Sequence, residues 1–144
     1  MYNYPLNIVQ QYNLEPADRI VVPKSGLQIV QHHAIYWGMD NNFNHWVMEN
    51  VIGVGVKYTE LGEFLSNTAK ITRVEKFNGN WWARQQAINR GQRHIGQPYN
   101  ALTFNCEHFA NIVQRDKDKS GQVSTVLGVA ALAALVFFGA RNRK

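Results

Sequence analysis

The sequence predicts an α+β domain: an antiparallel sheet with helices packed around it. Three observations carry this. Short alternating runs rich in Val, Ile, Trp and Tyr occupy the middle of the chain, and two segments of helical period follow them. Four Trp, six Tyr and seven Phe among 144 residues, with 45% hydrophobic residues, are enough to fill a core. That length suits one domain.

The elements are expected in this order. Residues 19–23 (RIVVP) form a β-branched strand stopped by proline. Residues 28–37 (QIVQHHAIYW) alternate and end at Gly38, MDNN supplies turn chemistry, and residues 43–48 (FNHWVM) alternate again, so the two runs form a hairpin. Residues 51–58 contain Gly53 and Gly55 and read as a bent or bulged strand. A short helix follows over 59–65, then a strand over 69–77. Trp82, Ala83, Ala87, Ile88, Gly91 and Ile95 repeat at helical spacing, and Gly96 and Pro98 end that helix. Asn105 is an N-cap type residue ahead of 106–115 (CEHFANIVQR), where Phe109, Ile112 and Val113 share one face.

Charge and cysteine content remove several function classes. The net charge is +5, but without Arg141, Arg143 and Lys144 twelve basic residues face ten acidic ones, a balance of +2. No basic stripe interleaved with aromatics remains, so no nucleic-acid partner is expected. One cysteine, Cys106, excludes a disulfide scaffold and a CxxC metal or redox site. The first residues, MYNYPLNIVQQYNLEP, lack a basic region followed by an apolar core, so no signal peptide is read.

Residues 123–140 (VSTVLGVAALAALVFFGA) carry no charge although the mean hydropathy of the chain is only −0.33. At about 1.5 Å per residue they span roughly 27 Å, and basic residues flank both ends. The expectation is a single C-terminal transmembrane anchor with the catalytic domain on the cytosolic side. The domain organisation then reads as an N-terminal extension (1–13), a catalytic domain (14–114), a polar linker (115–122), the anchor (123–140) and a basic tail (141–144).

Cys106 is the candidate nucleophile. Unpaired amides and the partial positive charge at a helix start favour thiolate over thiol. A thiolate enzyme also needs an imidazole base and a third polar group that orients it. His32, His33 and His45 are the candidates, because two strands of one hairpin can bring His32 or His33 beside His45. Neighbouring strand residues point to opposite faces, so one of His32 and His33 lines the site. A three-histidine metal site lacks the helical i,i+4 spacing or carboxylate partner expected of one, and no metal or organic cofactor is expected.

HHAIYWG at 32–38, the histidine after the turn, and NCEHF at 105–109 together resemble the lecithin:retinol acyltransferase family, close to its small phospholipase A/acyltransferases of the H-Ras-like suppressor type. EFL at 63–65, GQPYNALTFNCEHFANIV at 96–113 and SGQV at 120–123 extend the resemblance over most of the chain. It implies a circularly permuted papain-like fold, with the histidine strands ahead of the cysteine helix. The family's base lies six residues before the glycine that ends IYxG, which is His32. Its second histidine lies six residues past that glycine, a place held here by Asn44, with His45 one further on. A one-residue insertion in the turn makes His45 the third group; a rigid register makes it Asn44.

The implied activity is that of a membrane-anchored, cysteine-dependent phospholipase A/acyltransferase acting on glycerophospholipids through a Cys106 thioester. His32 is its base and His45 the orienting group, and water, an amine or a hydroxyl is the acyl acceptor. A papain-like peptidase or amidase with the same residues, and a non-catalytic membrane-tethered module, are the alternatives.

Overall fold

The computed structural model describes residues 4–24, 30–68, 70–116, 127–130 and 132. Its elements are α1 (Tyr4–Gln11), β1 (Arg19–Pro23), β2 (Gln31–Met39), β3 (His45–Val51), β4 (Gly55–Glu60), α2 (Leu61–Ser66), β5 (Arg73–Glu75), α3 (Trp81–Gln92) and α4 (Cys106–Arg115). The strands form one antiparallel sheet in the order β4-β3-β2-β1-β5.

Strand alternation divides the core between the two faces of the sheet. Ile20, Val22, Ala34, Tyr36 and Val47 meet Ile8 of α1 and Leu61, Phe64 and Leu65 of α2 on one face. Ile35, Met48 and Val56 meet Ala87 and Ile88 of α3 and Phe109, Ala110 and Val113 of α4 on the other. Burying one such side chain contributes about 1.5–3 kcal/mol of transfer free energy. Residues 1–13, read as an extension, therefore contain a helix that enters the core through Ile8.

Buried polar contacts fix the helices against the sheet. Arg19, at the start of β1, donates from Nη2 to Asn111 Oδ1 of α4 at 2.6 Å. Arg84 of α3 donates to Pro16 O (2.8 Å), Asp18 Oδ1 (2.9 Å), Glu15 Oε2 (3.0 Å) and Phe77 O (3.0 Å). Arg90 Nη2 donates to Val113 O at 2.7 Å, joining α3 to α4.

Two local expectations change. Gly53 and Gly55 (φ 77° and 93°) serve a tight turn between two strands, not a bulge within one. Val54 N–H donates to Val51 O at 3.1 Å across that turn. Gly55 also lies so close to the 97–98 backbone that a Cβ would sit 2.3 Å from Gln97 O. The irregularity falls instead in β2, between Tyr36 and Gly38. Among the described residues of the strand expected over 69–77, Arg73–Glu75 form β5, on the outer edge of β1.

The transmembrane helix expected over 123–140 is corrected. Among the described residues no helix is long and apolar enough to cross a membrane. Leu127–Ala130 and Leu132 are the described residues of that span, and the rest of it lies outside them. The anchor is argued from apolar length and basic flanks, and 18 residues interrupted by Ser124, Thr125, Gly128 and Gly139 fall at the short end of a bilayer-spanning segment. The single-pass localisation falls with the helix. The polar linker (115–122) and the basic tail (141–144) lie largely or wholly outside the described residues.

Candidate active site

The site begins with the first turn of α4. Asn105 Oδ1 accepts the amides of Glu107 and His108, each at 3.0 Å, and His108 Nδ1 accepts the amide of Asn105 at 3.2 Å. This reciprocal cap uses the orphan amides of the helix start and fixes Cys106 as the first helical residue. Cys106 is 3% exposed, with Sγ 3.8 Å from Gln31 O at the start of β2.

β2 supplies the imidazole. His32 shares its face with Ala34 and Tyr36, and Ala34 pairs directly with Glu49 on β3, so Glu49 lies diagonal to His32 on that face. His32 Nε2 and Glu49 Oε2 are 2.6 Å apart. Thr59 on β4 donates its hydroxyl to Glu49 Oε1 at 2.5 Å, and Lys57 Nζ lies 3.9 Å from the same oxygen. Both carboxylate oxygens of a side chain only 8% exposed are thus engaged. With Nε2 taken by Glu49, the nitrogen left for Cys106 is Nδ1, which is buried and makes no hydrogen bond.

The ionisation of these groups is coupled. Burial alone would lower the pKa of His32, but the adjoining Cys106 and Glu49 outweigh it and raise it to about 9. Burial pushes the Cys106 thiol up, while His32, the backbone of His33 and Lys24 bring it below its ordinary value. Burial likewise opposes Glu49, and its bonds to His32 and Thr59 hold it below the usual carboxyl range. All three shifts favour a thiolate beside an imidazolium, backed by a carboxylate.

A cavity of about 320 Å³ opens onto His32 and Glu49, with Val22, Lys24, Lys57 and Phe64 among its walls. Among the described residues no three His, Cys, Asp or Glu side chains are placed to hold a metal ion.

The structure brings Cys106 and His32 together and places His45 elsewhere. His45 begins β3, four residues and roughly 13 Å from Glu49 along the strand. Its Nδ1 is 2.7 Å from Tyr36 Oη, and burial lowers its pKa against the opposing charge of Asp40. Asn44 lies in the exposed turn, its amide donating to Asp40 Oδ1 at 3.0 Å. His33 points to the other face of β2, where burial and Arg19 lower it to about 4. His94 Nδ1 lies 2.6 Å from Gln97 Oε1, and the His94 ring lies tilted against Phe104, with centroids 5.6 Å apart. The position expected for His45 beside His32 is therefore filled by Glu49. Its legible trace in the sequence was a lone acid inside the otherwise uncharged strand HWVMENV.

Comparison with known families places these residues in context. The permuted papain-like amidase enzyme family, YaeF/YiiX, C92, matches residues 8–111, a span that contains His32, Glu49 and Cys106. The chain belongs to this family. Comparison with curated proteins and with solved structures gives no match. The permuted papain-like fold expected from the histidine and NCEHF strings is thus supported at the family level. The narrower lecithin:retinol acyltransferase assignment is not confirmed; the family shown is that of the permuted papain-like amidase enzymes.

Proposed function

We propose that the protein is a cysteine amidase that cleaves a carboxamide through an acyl-thioester, with Cys106 as nucleophile, His32 as acid and base, and Glu49 as the residue that orients His32. The observation that carries this reading is the charge-coupled Cys106–His32 pair at the start of α4, with His32 Nε2 held at 2.6 Å by a buried carboxylate. The orienting role passes from His45 to Glu49 because Glu49 touches the imidazole.

The Cys106 thiolate attacks the amide carbonyl carbon, and the C=O electron pair moves onto oxygen. The amide of Cys106 itself, at the first helical position, stabilises that oxyanion; the next two amides are taken by the Asn105 side chain. The oxyanion collapses, the C–N bond breaks, and the leaving amine takes the proton from His32. His32 then deprotonates a water that attacks the thioester. The carboxylic acid leaves, Cys106 returns as thiolate and His32 as imidazolium. Glu49 holds the imidazole in one tautomer and orientation for each proton transfer.

An amide is preferred to a glycerophospholipid ester because the family is one of amidases and the membrane anchor that favoured a lipid has been removed. The test incubates the protein and Cys106→Ser with a panel of N-acyl amino acid amides and, separately, with phosphatidylcholine micelles. The expected result is amine release and a hydroxylamine-labile acyl adduct on Cys106 with amides only, absent from the serine variant. An adduct formed with phosphatidylcholine alone would return the assignment to phospholipase/acyltransferase chemistry. Amide cleavage that survives in Cys106→Ser would overturn the mechanism.

A further inference from the structure

A second cavity lies on the opposite face of the sheet from His32. Its walls are three aromatic side chains, Trp37, Trp46 and Tyr58, together with the carboxylate of Asp40, around a space of about 350 Å³. Trp37 is five residues from His32 along β2, roughly 17 Å at strand spacing, and alternation sends it to the α3/α4 side. This cavity is therefore separate from the amidase site.

Its geometry is built rather than incidental. The irregular pairing between Tyr36 and Gly38 re-aims β2 where Trp37 projects. Trp37 and Tyr58 meet edge to face, with centroids 6.0 Å apart and planes at 82°. Gln92 Nε2 donates to Tyr58 Oη at 3.1 Å and steadies that ring from α3. Trp46 Nε1 donates to Asp40 Oδ2 at 2.9 Å, so the third ring and the acid are fixed to each other. The amides of Asn42 and Asn44 donate to Asp40 Oδ1 at 2.8 and 3.0 Å. These bonds lower the pKa of the Asp40 carboxyl below its ordinary value, with the Trp46 contact the largest cause. Neither of the cation–ring contacts found among the described residues uses these three rings.

Aromatic faces present negative potential to a cation, and a fixed carboxylate adds a full charge. A neutral apolar ligand would gain nothing from Asp40, and an anion would be repelled by it. A primary ammonium needs acceptors for three N–H groups, whereas the rings accept no strong hydrogen bond and the Asp40 oxygens already accept from Trp46 and from Asn42 and Asn44 of the turn. A quaternary ammonium has no N–H to satisfy and an apolar surface that fits such walls. We propose that the Trp37–Trp46–Tyr58–Asp40 box is a binding site for a trimethylammonium group, carried either on a choline ester or on a trimethylated lysine.

The test follows the Trp37 and Trp46 indole N–H resonances of the full chain during titration with choline and with its neutral isostere 3,3-dimethylbutan-1-ol. Choline is expected to give saturable shifts and to bind about ten-fold more tightly than the alcohol, the range of a desolvated cation–aromatic contact. Tyr58→Leu, at an exposed edge of the box, should abolish saturation without disturbing the hairpin. Asp40→Asn, which keeps an acceptor for the turn amides, should weaken choline about ten-fold and leave the alcohol unchanged. Phosphocholine and trimethyl-lysine form the last arm: tighter binding of the first supports a choline ester as ligand, tighter binding of the second a methylated side chain. Equal affinity for choline and the alcohol, shifts that persist in Tyr58→Leu, or no saturable shift at all would overturn the proposal. None of these readouts depends on amide hydrolysis.

Discussion

The carboxylate of Glu49 lies 2.6 Å from Nε2 of His32, across the junction of two strands whose register makes them diagonal neighbours. The contact does two things at once: it fixes the ring so that Nδ1 is the nitrogen left for Cys106, and it favours the imidazolium. Glu49→Gln keeps the shape and an acceptor for Thr59 but removes the charge. The expected outcome is a fall in kcat of between about 10²- and 10⁴-fold with little change in KM, as for other residues that orient a catalytic imidazole. Steady-state kinetics on an amide substrate check it, and a loss confined to KM would assign Glu49 to substrate binding instead.

The pH dependence follows from the same pair. The working state needs Cys106 ionised and His32 protonated. Activity therefore rises with pH as the thiol, held below its ordinary value by His32, loses its proton, and falls as His32 deprotonates near 9. In Glu49→Gln one of the two contacts that raise His32 is gone, so the alkaline limb should move to lower pH. The profile of kcat/KM for both proteins measures this. An alkaline limb that stays in place would mean that His32 does not carry it.

How far the site was legible depends on what kind of signal each residue leaves. Cys106 and the Asn105 cap stand next to each other in sequence, and local helix-start chemistry is enough to find them. The choice of His32 over His33 needed strand parity, which alternation states but cannot orient; the resemblance oriented it. Glu49 left almost no local trace, because its role depends on β2–β3 register, which the hairpin pattern alone does not assign. The resemblance puts His45 beside His32 by its distance in sequence from Gly38, whereas the pairing runs Met39 to His45 at the turn end and Ala34 to Glu49 at the site end, with an irregularity between. Two glycines in 51–58 read as a bulge because a tight turn and a bulge use the same residue for the same positive φ.

The cap can be tested apart from the chemistry. Asn105→Ala removes the acceptor for two amides and should cost about 0.5–2 kcal/mol of stability, while Asn105→Asp, which retains an acceptor, should restore most of it. Denaturant midpoints for the three proteins make the comparison. The alanine variant should also alkylate more slowly at Cys106, since a frayed first turn no longer presents its dipole to the thiolate. Equal midpoints for alanine and wild type would remove the cap from the account of how Cys106 is placed.

Asp18 tests what holds the sheet to α3. It is fully buried, and its oxygens accept from Arg84 Nη1 (2.9 Å), the Phe77 amide (2.9 Å), the Glu15 amide (3.0 Å) and the Lys76 ammonium. Burial alone would raise its pKa, but these donors, Lys76 the strongest of them, hold it below the ordinary 3.8. A carboxyl depressed in the folded state contributes stability that is fully present above 3.8 and disappears as pH falls through the lower folded value. Thermal midpoints should therefore drop on the acid side of 3.8 in the wild type, and that part of the drop should be missing from Asp18→Asn. At neutral pH the same substitution leaves the buried Arg84 guanidinium short of its charge partner, which costs about 3–5 kcal/mol when a buried pair is broken from one side. Arg84 is also held by Glu15 and by two carbonyls, so the loss should fall at the lower end of that range. A midpoint unchanged in Asp18→Asn at both pH values would show that the network positions α3 without stabilising it.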